Sequence, residues 1–342
     1  MVGISPRPSR RTNLALLALL AGAFVTGWVA FAIEGSPESR VISVVHGVAG
    51  LGILVLAPWK SVIVRRGLRR RRRHALAVAF AVTVAASLLA GIAHATFGRF
   101  DVAGVSALDV HVGSAVAAVP LAIFHVIRRP QRPRSTDLSR RTALRAVALS
   151  GTAALTYAVL EAVTSVANLP GERRRGTGSY EVGSGVPSAM PVTQWFTDDV
   201  PLIDLDAYEL LVSRPDEVAQ RFRYADLLAM TAVTETAVLD CTGGWWAEQT
   251  WRGIRLDHLI GPLGGGSIVV RSVTGYARRF PPEDAAALLI ATHVGGAPLS
   301  RGHGAPVRLV APGRRGFWWV KWVGQVSVES DPSWWQSPFP LR

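Results

Sequence analysis

Five apolar runs, each long enough to cross a lipid hydrocarbon core, follow one another in the first half of the chain with short polar linkers between them. A crossing helix needs about 20 apolar residues, and residues 14–33, 41–59, 75–97, 105–127 and 146–167 meet that length. The expected architecture of residues 1–167 is therefore an α-helical membrane bundle of five transmembrane helices, with membrane lipid as its surroundings. The whole chain agrees, with 49% apolar residues, 18% charged residues and a mean hydropathy of +0.27. Such a composition excludes a disordered chain.

The net charge of +13 invites a nucleic-acid reading, and its distribution argues against one. Residues 1–167 hold 20 basic and 6 acidic side chains, residues 168–342 hold 17 and 18. The excess lies between the apolar runs, at Arg7, Arg10 and Arg11, from Lys60 through Arg69 to Arg73, and from Arg128 to Arg145. Loops 34–40 and 98–104 carry one arginine each. The positive-inside rule puts the N-terminus in the cytoplasm, and five crossings deliver everything after Ala167 to the outer side of a cell membrane. No nucleic-acid partner is expected. A cleaved signal at Ala30-Phe31-Ala32 is an alternative for the first span, although its apolar run exceeds the ~7–15 residues of a signal core. Ser139-Arg140-Arg141-Thr142-Ala143-Leu144-Arg145 before the fifth span reads either as twin-arginine export or as plain positive-inside charge. Twin-arginine export carries folded proteins, as a domain loaded with a cofactor in the cytoplasm requires.

Residues 168–187, rich in Gly, Ser, Arg and Pro, read as a tether. Residues 188–342 make one domain of ordinary size. Strand-like segments at 237–240, 267–272, 307–310 and 323–328, with helical patches at 224–230 and 283–290, predict an α+β fold. The chain has one cysteine, Cys241, so a disulfide within the chain, a zinc ribbon and a Cys-x-x-Cys redox pair are excluded.

Cys241 ends the apolar run Ala237-Val238-Leu239-Asp240 and precedes Thr242-Gly243-Gly244-Trp245-Trp246, where a buried strand opens into a glycine turn. A lone cysteine is commonly a small buried hydrophobe; the residues downstream favour chemistry. His303-Gly304-Ala305-Pro306-Val307-Arg308, then Gly316 and Val320-Lys321-Trp322, supply a histidine, an arginine and a compact lysine charge for an anion, with glycines that permit close backbone approach. Together with Trp251-Arg252-Gly253, these motifs resemble the sulfite oxidase family of molybdopterin enzymes over about residues 188–330. The resemblance implies a sulfite-oxidase-like molybdopterin-binding domain, with the Cys241 thiolate on molybdenum and with His303, Arg308, Lys321 and Gly316 around the molybdopterin. Tyr276, in Ser272-Val273-Thr274-Gly275-Tyr276, matches the segment where the family places an active-site tyrosine, a catalytic candidate beside Cys241; a core aromatic is its alternative. The sequence departs from the family after the cysteine, where Thr242 to Trp246 replace Ala-Gly-Asn-Arg-Arg, and at Thr197-Asp198-Asp199, which replace Arg-Asn-His. Fewer cations suit a small uncharged or zwitterionic substrate better than sulfite, while Arg278 or Arg279 would restore positive charge. The family's dimerisation domain has no counterpart after Lys321, so a monomeric catalytic domain is expected.

Four of the eight histidines, His46, His94, His111 and His125, fall in the spans, where polar residues are costly. His111 and His125 are 14 residues apart, ~21 Å of helical rise on nearly one face, a spacing similar to that of b-type cytochromes. This implies haem b, with His46, His94 and His111 as candidate iron ligands near the outer surface; His125 has only His74 near it in depth. Hydrogen bonding between helices is the alternative. Glu161 in the fifth span is a candidate for quinone or proton chemistry or an interfacial cap. Two functions stay open. One is a membrane-anchored extracytoplasmic molybdopterin oxidoreductase that performs oxo transfer and exchanges electrons with a quinone or cytochrome. The other is a transmembrane b-type haem carrier whose outer domain binds without turnover.

Overall fold

The computed structural model describes residues 10–33, 37–68, 75–128, 130, 134–194, 198–215 and 217–337. Arg7, Arg69 to Arg73, His74, Trp195, Phe196 and Thr197 lie outside them. The chain divides into two compact units, one of residues 1–31 and 35–180, the other of residues 32–34 and 181–342.

In the first unit five helices are long and apolar enough to cross a membrane: α1 (Arg10–Ala32), α2 (Pro37–Leu68), α3 (Ala75–Phe97), α4 (Ala107–Arg128) and α5 (Arg140–Val166). Their large apolar side chains face outward, with Val82 59%, Leu89 66% and Leu155 66% exposed; such a surface suits lipid and not water. The helices and the apolar runs differ at several ends, and two of these differences have a local cause. Residues 105–106 are not helical but pair as β2 (Val105–Ser106) against β1 (Asp101–Val102), because Ala103 and Gly104 both take positive φ, as a two-residue hairpin turn requires. Ser106 then bonds Asp109 through its N–H and Oγ at 2.9 and 2.7 Å, and the helix starts after it. The fifth helix begins before its apolar run because Ser139 caps it, accepting from the Thr142 N–H at 3.4 Å.

Small residues bring these helices together. A Cβ on Gly47 of α2 would lie 2.5 Å from the Tyr157 ring of α5. Residues 170–180, expected as a free tether, are packed within this unit. Arg174 pairs with Glu161 at 2.6 Å and donates to the Ala95 carbonyl, and Tyr180 donates to the His94 carbonyl at 2.6 Å. Glu161 is thus held in an ion pair.

The second unit is α+β. After β3 (Tyr180–Glu181) come β4 (Glu209–Ser213), β5 (Gln220–Arg223), α6 (Tyr224–Met230), β6 (Val233–Cys241), β7 (Trp245–Arg255), α7 (Leu256–Ile260), β8 (Ser267–Ser272) and β9 (Ala277–Phe280). Then follow β10 (Leu289–Val294), β11 (Ala297–Pro298), β12 (Arg308–Val310) and β13 (Val323–Glu329). One sheet runs β5-β4-β13-β8-β9, with β4 and β13 parallel and its other pairs antiparallel. In the other, β10 joins β7, β11 and β12, and β6 pairs with β7, all antiparallel. Strand β7 alternates buried Trp245, Ala247, Gln249 and Trp251 with more exposed neighbours, the period-two signature of a strand with one covered face.

The helix expected at 283–290 is absent. Pro282–Asp284 form a single 3-10 turn, and Leu289 starts β10 between β7 and β12. A short unbroken apolar run reads equally as helix or as doubly covered strand, and here neighbours on both edges decide for strand. Leu289 is fully buried. Leu289→Ala should destabilise this unit by about 2–5 kcal/mol, measured as a lower unfolding midpoint of the purified chain.

Candidate active site

The β6–β7 hairpin sets the first functional group. Alternation along β6 gives way to three consecutive buried residues, Leu239, Asp240 and Cys241, and Cys241 is directly opposite Trp245 across a turn of Thr242, Gly243 and Gly244. Gly244 takes φ +79°, which favours glycine. The Gly243 N–H lies 3.4 Å from Cys241 Sγ. Burial pushes the thiol up from its ordinary range, while the Gly243 N–H, Arg315 and Lys321 pull it down.

Behind the cysteine, Arg315 and Asp240 form an ion pair with side chains only 3% and 6% exposed. The two residues also form a parallel backbone bridge. This clamp brings the 3-10 turn Gly316–Trp318 against the end of β6. A Cβ on Gly316 would sit 2.9 Å from Cys241 Cα and 3.2 Å from the Asp240 carbonyl, so a glycine is needed there for packing.

His303 closes a 3-10 turn capped by Ser300 and followed by Gly304 at φ +109°. Its Nε2 donates to the Met190 carbonyl at 3.0 Å and its Nδ1 faces Ser300 Oγ at 2.8 Å. Burial lowers its pKa, favouring the neutral ring. Arg308 follows on β12, fully buried, with its guanidinium 5.0 Å from the Trp251 ring centroid and 5.6 Å from that of Trp319. Nη1 donates to the His303 carbonyl at 3.1 Å, while buried Nε has no hydrogen-bond partner among the described residues. Burial lowers its pKa to about 10, which leaves it charged at neutral pH.

Lys321 donates to the Gly302 carbonyl at 2.7 Å and lies over the Trp322 ring. Trp322 has φ +51°, an unusual conformation for a bulky residue. It is held there by its indole N–H on the Arg301 carbonyl and by the Val273 N–H on its own carbonyl. Burial, with Arg308 nearby, lowers the Lys321 pKa to about 7. Neither Arg308 nor Lys321 has a salt bridge among the described residues.

Cys241, Tyr276, His303, Arg308, Gly316 and Lys321 all line one cavity of about 100 Å³, with Thr193, Asp198, Trp245, Phe317, Trp319 and Trp322. Tyr276 donates its hydroxyl to the Phe317 carbonyl, and burial raises its pKa, so it stays protonated. Trp245 donates to Thr193 Oγ1 at 3.0 Å, and Asp198 accepts from Thr274 at 3.1 Å. Arg278 and Arg279 do not restore charge to this cavity. Arg278 stacks on Trp318 at 4.3 Å and donates to the Ser337 carbonyl, and Arg279 pairs with Glu329 at 2.6 Å. Thr193 and the Asp240–Arg315 pair escaped the sequence reading, and Asp198 was legible only as a departure from the family's Arg-Asn-His. The pair had one legible signal, an acid directly before the cysteine and a basic residue directly before Gly316.

The cavity fits an anionic thiolate-bound group. It offers one soft sulfur ligand, the buried Arg308 guanidinium, whose Nε has no partner among the described residues, and the half-buried Lys321 ammonium, with Asp198 as the one carboxylate among the described lining residues. His303 also lines it, although both of its ring nitrogens are engaged by protein groups.

Comparison with known proteins agrees in kind. Residues 197–336 match the family described as oxidoreductase molybdopterin binding domain. Mitochondrial sulfite oxidase of Macaca fascicularis is 30% identical over 177 residues, covering 40% of this chain and 32% of that protein. The Mus musculus protein is 52% identical over 127 residues, covering 31% and 23%. The chain spans about a third or less of the length of these relatives. The crystal structure of the sulfane dehydrogenase SoxCD from Paracoccus pantotrophus matches at 24% identity with a TM-score of 0.36, over 39% of this chain and 40% of that one.

Two outcomes follow from the geometry. Gly316→Ala should cost about 1–3 kcal/mol through overpacking against Cys241, read as a lower unfolding midpoint. Lys321, with a folded pKa near 7, loses its charge as pH rises through that value. Sulfate keeps its charge over this range, so its binding to cofactor-free protein should weaken roughly tenfold or more between pH 6 and pH 8.5. Titration calorimetry should show that Lys321→Met binds weakly and without that pH dependence.

Proposed function

We propose that this chain is a membrane-anchored, extracytoplasmic molybdopterin-dependent oxidoreductase that performs two-electron oxo transfer on a small substrate and exchanges electrons with the membrane. The observation that carries the reading is the meeting of one buried thiol, the buried Arg308 guanidinium and the Lys321 ammonium in a single cavity, inside the stretch that matches a molybdopterin-binding domain. When bound, molybdenum-molybdopterin supplies the oxo-transfer chemistry.

The residues supply binding, orientation and water exclusion. Cys241 would provide the sulfur for the metal, whose positive charge would offset the burial that disfavours loss of the thiol proton. Arg308 and Lys321 neutralise the phosphate of the pterin, in a site where low dielectric strengthens each charge-assisted bond. His303 holds the buried Met190 carbonyl, Gly304 lets the backbone pass close to Arg308 and Lys321, and Gly316 lets its turn pack on Cys241. Tyr276 is a protonated hydroxyl beside the cavity, available to the reacting oxygen once it leaves the Phe317 carbonyl.

The wall around the cysteine is aromatic, with Trp245, Phe317, Trp319 and Trp322, and its one acid is Asp198 among the described residues. An uncharged or zwitterionic substrate fits this wall better than a dianion. The five helices supply the anchor, and the arginine-poor outer loops support a cytoplasmic N-terminus. Twin-arginine export through Arg140 and Arg141 would deliver the loaded domain. A haem b among the helices, with a quinone or cytochrome partner, would carry the electrons. The rival haem carrier with an inert outer domain leaves the meeting of Cys241, Arg308 and Lys321 in one cavity without a purpose.

Elemental analysis of detergent-purified protein from a cofactor-competent host tests the reading. Near-stoichiometric molybdenum is expected, with a several-fold loss in Cys241→Ala at an unchanged circular-dichroism spectrum. Molybdenum-free parent protein would overturn it.

A further inference from the structure

Outside the cavity, the most organised titratable groups are two histidines on different helices of the first unit. His46 of α2 and His111 of α4 have ring centroids 5.8 Å apart and ring planes at 82°. The same device turns each of them. Nδ1 of His46 lies 2.8 Å from the Ala23 carbonyl of α1, and Nδ1 of His111 lies 2.7 Å from the Ser87 carbonyl of α3.

A carbonyl only accepts, so Nδ1 carries the proton in both rings and Nε2 carries the lone pair. Among the described residues, Nε2 of neither ring has a hydrogen-bond partner. An imidazole whose N–H is fixed by a backbone carbonyl and whose other nitrogen is open is oriented as a metal ligand. The neighbouring helices make room for each ring with a glycine. A Cβ on Gly27 of α1 would lie 2.9 Å from His46 Cε1, and one on Gly91 of α3 would lie 2.7 Å from His111 Nδ1. Each helix pair thus contributes one histidine, one carbonyl and one glycine.

Two imidazoles that bind one metal through nitrogen at ~2.0–2.1 Å place their ring centroids roughly 6 Å apart, close to the separation present here. The donor set selects the kind of metal group. No cluster of three or more His, Cys, Asp or Glu side chains occurs among the described residues, so a bare zinc ion, which takes at least three protein ligands, is not served. A metal that brings its own equatorial ligands is. His94 has the same device with its nitrogens exchanged, Nε2 on the Gly178 carbonyl at 2.9 Å and a buried Nδ1 without a partner among the described residues, but the ring it packs against edge-on is Tyr180 and not a second imidazole. His125 packs against Phe80 at 5.6 Å.

We propose that His46 and His111, and not His94, are the two axial ligands of an iron porphyrin held between α2 and α4. This deepens the electron-exchange part of the proposed function, and its test reads haem while that of the outer site reads molybdenum, so either can fail alone. The test purifies the full chain in detergent from a haem-replete host and reads the pyridine haemochrome, the dithionite-reduced spectrum and the low-spin electron paramagnetic resonance. About one haem per chain is expected. His46→Ala and His111→Ala should each lose it at least tenfold with molybdenum content unchanged, and His94→Ala should keep it. His46→Gly should regain the low-spin spectrum on addition of imidazole, which separates loss of a ligand from loss of fold. A parent without haem, a His46→Ala/His111→Ala double variant that retains it, or an equal loss from His94→Ala would overturn the assignment.

Discussion

Arg308 is a guanidinium buried between two tryptophans with no salt bridge among the described residues, and Lys321 approaches the same cavity from β13's leading edge. Burying one such charge costs on the order of several kcal/mol. Its ring contacts and its bond to the His303 carbonyl offset part of that. The remainder is what an anion entering the cavity recovers. Most of the second unit can be read as the apparatus that keeps these two cations, one thiol and an empty space together.

The apparatus is made of backbone more than of side chains. Strand β6 presents Cys241 at its end, the glycine turn sends β7 back so that Trp245 and Trp251 face inward, and the Asp240–Arg315 pair fixes the next wall. That pair works because both partners are present and well matched in depth; removal of either leaves a buried charge. The αL turn at Trp322 makes the last adjustment, since it aims Lys321 at the Gly302 carbonyl and the cavity.

The five helices were legible because bilayer thickness acts directly on run length. The misplaced starts at Ala107 and Arg140 came from Ser106 and Ser139, whose capping acts through local hydrogen bonds that a hydropathy window does not weigh. In the second unit β6, β8, β12, β13 and α6 were legible from composition and turns. The stretch 283–290 was not, because Leu289 and Ile290 owe their strand conformation to β7 and β12. The site showed the same division. Cys241, His303, Arg308 and Lys321 stood out as a motif, whereas Arg315 acts through Asp240, a neighbour distant in sequence. The histidine positions were visible as costly residues in apolar runs, while the carbonyls that turn His46 and His111 became identifiable only from helix packing.

The proposed site would put the Cys241 sulfur on molybdenum and the pterin phosphate on Arg308 and Lys321. Molybdenum K-edge X-ray absorption on the purified full chain, compared with Cys241→Ser, tests it most directly. The variant's spectrum is expected to lose one sulfur neighbour from the metal while the remaining shell persists. Identical sulfur shells in parent and variant would contradict it.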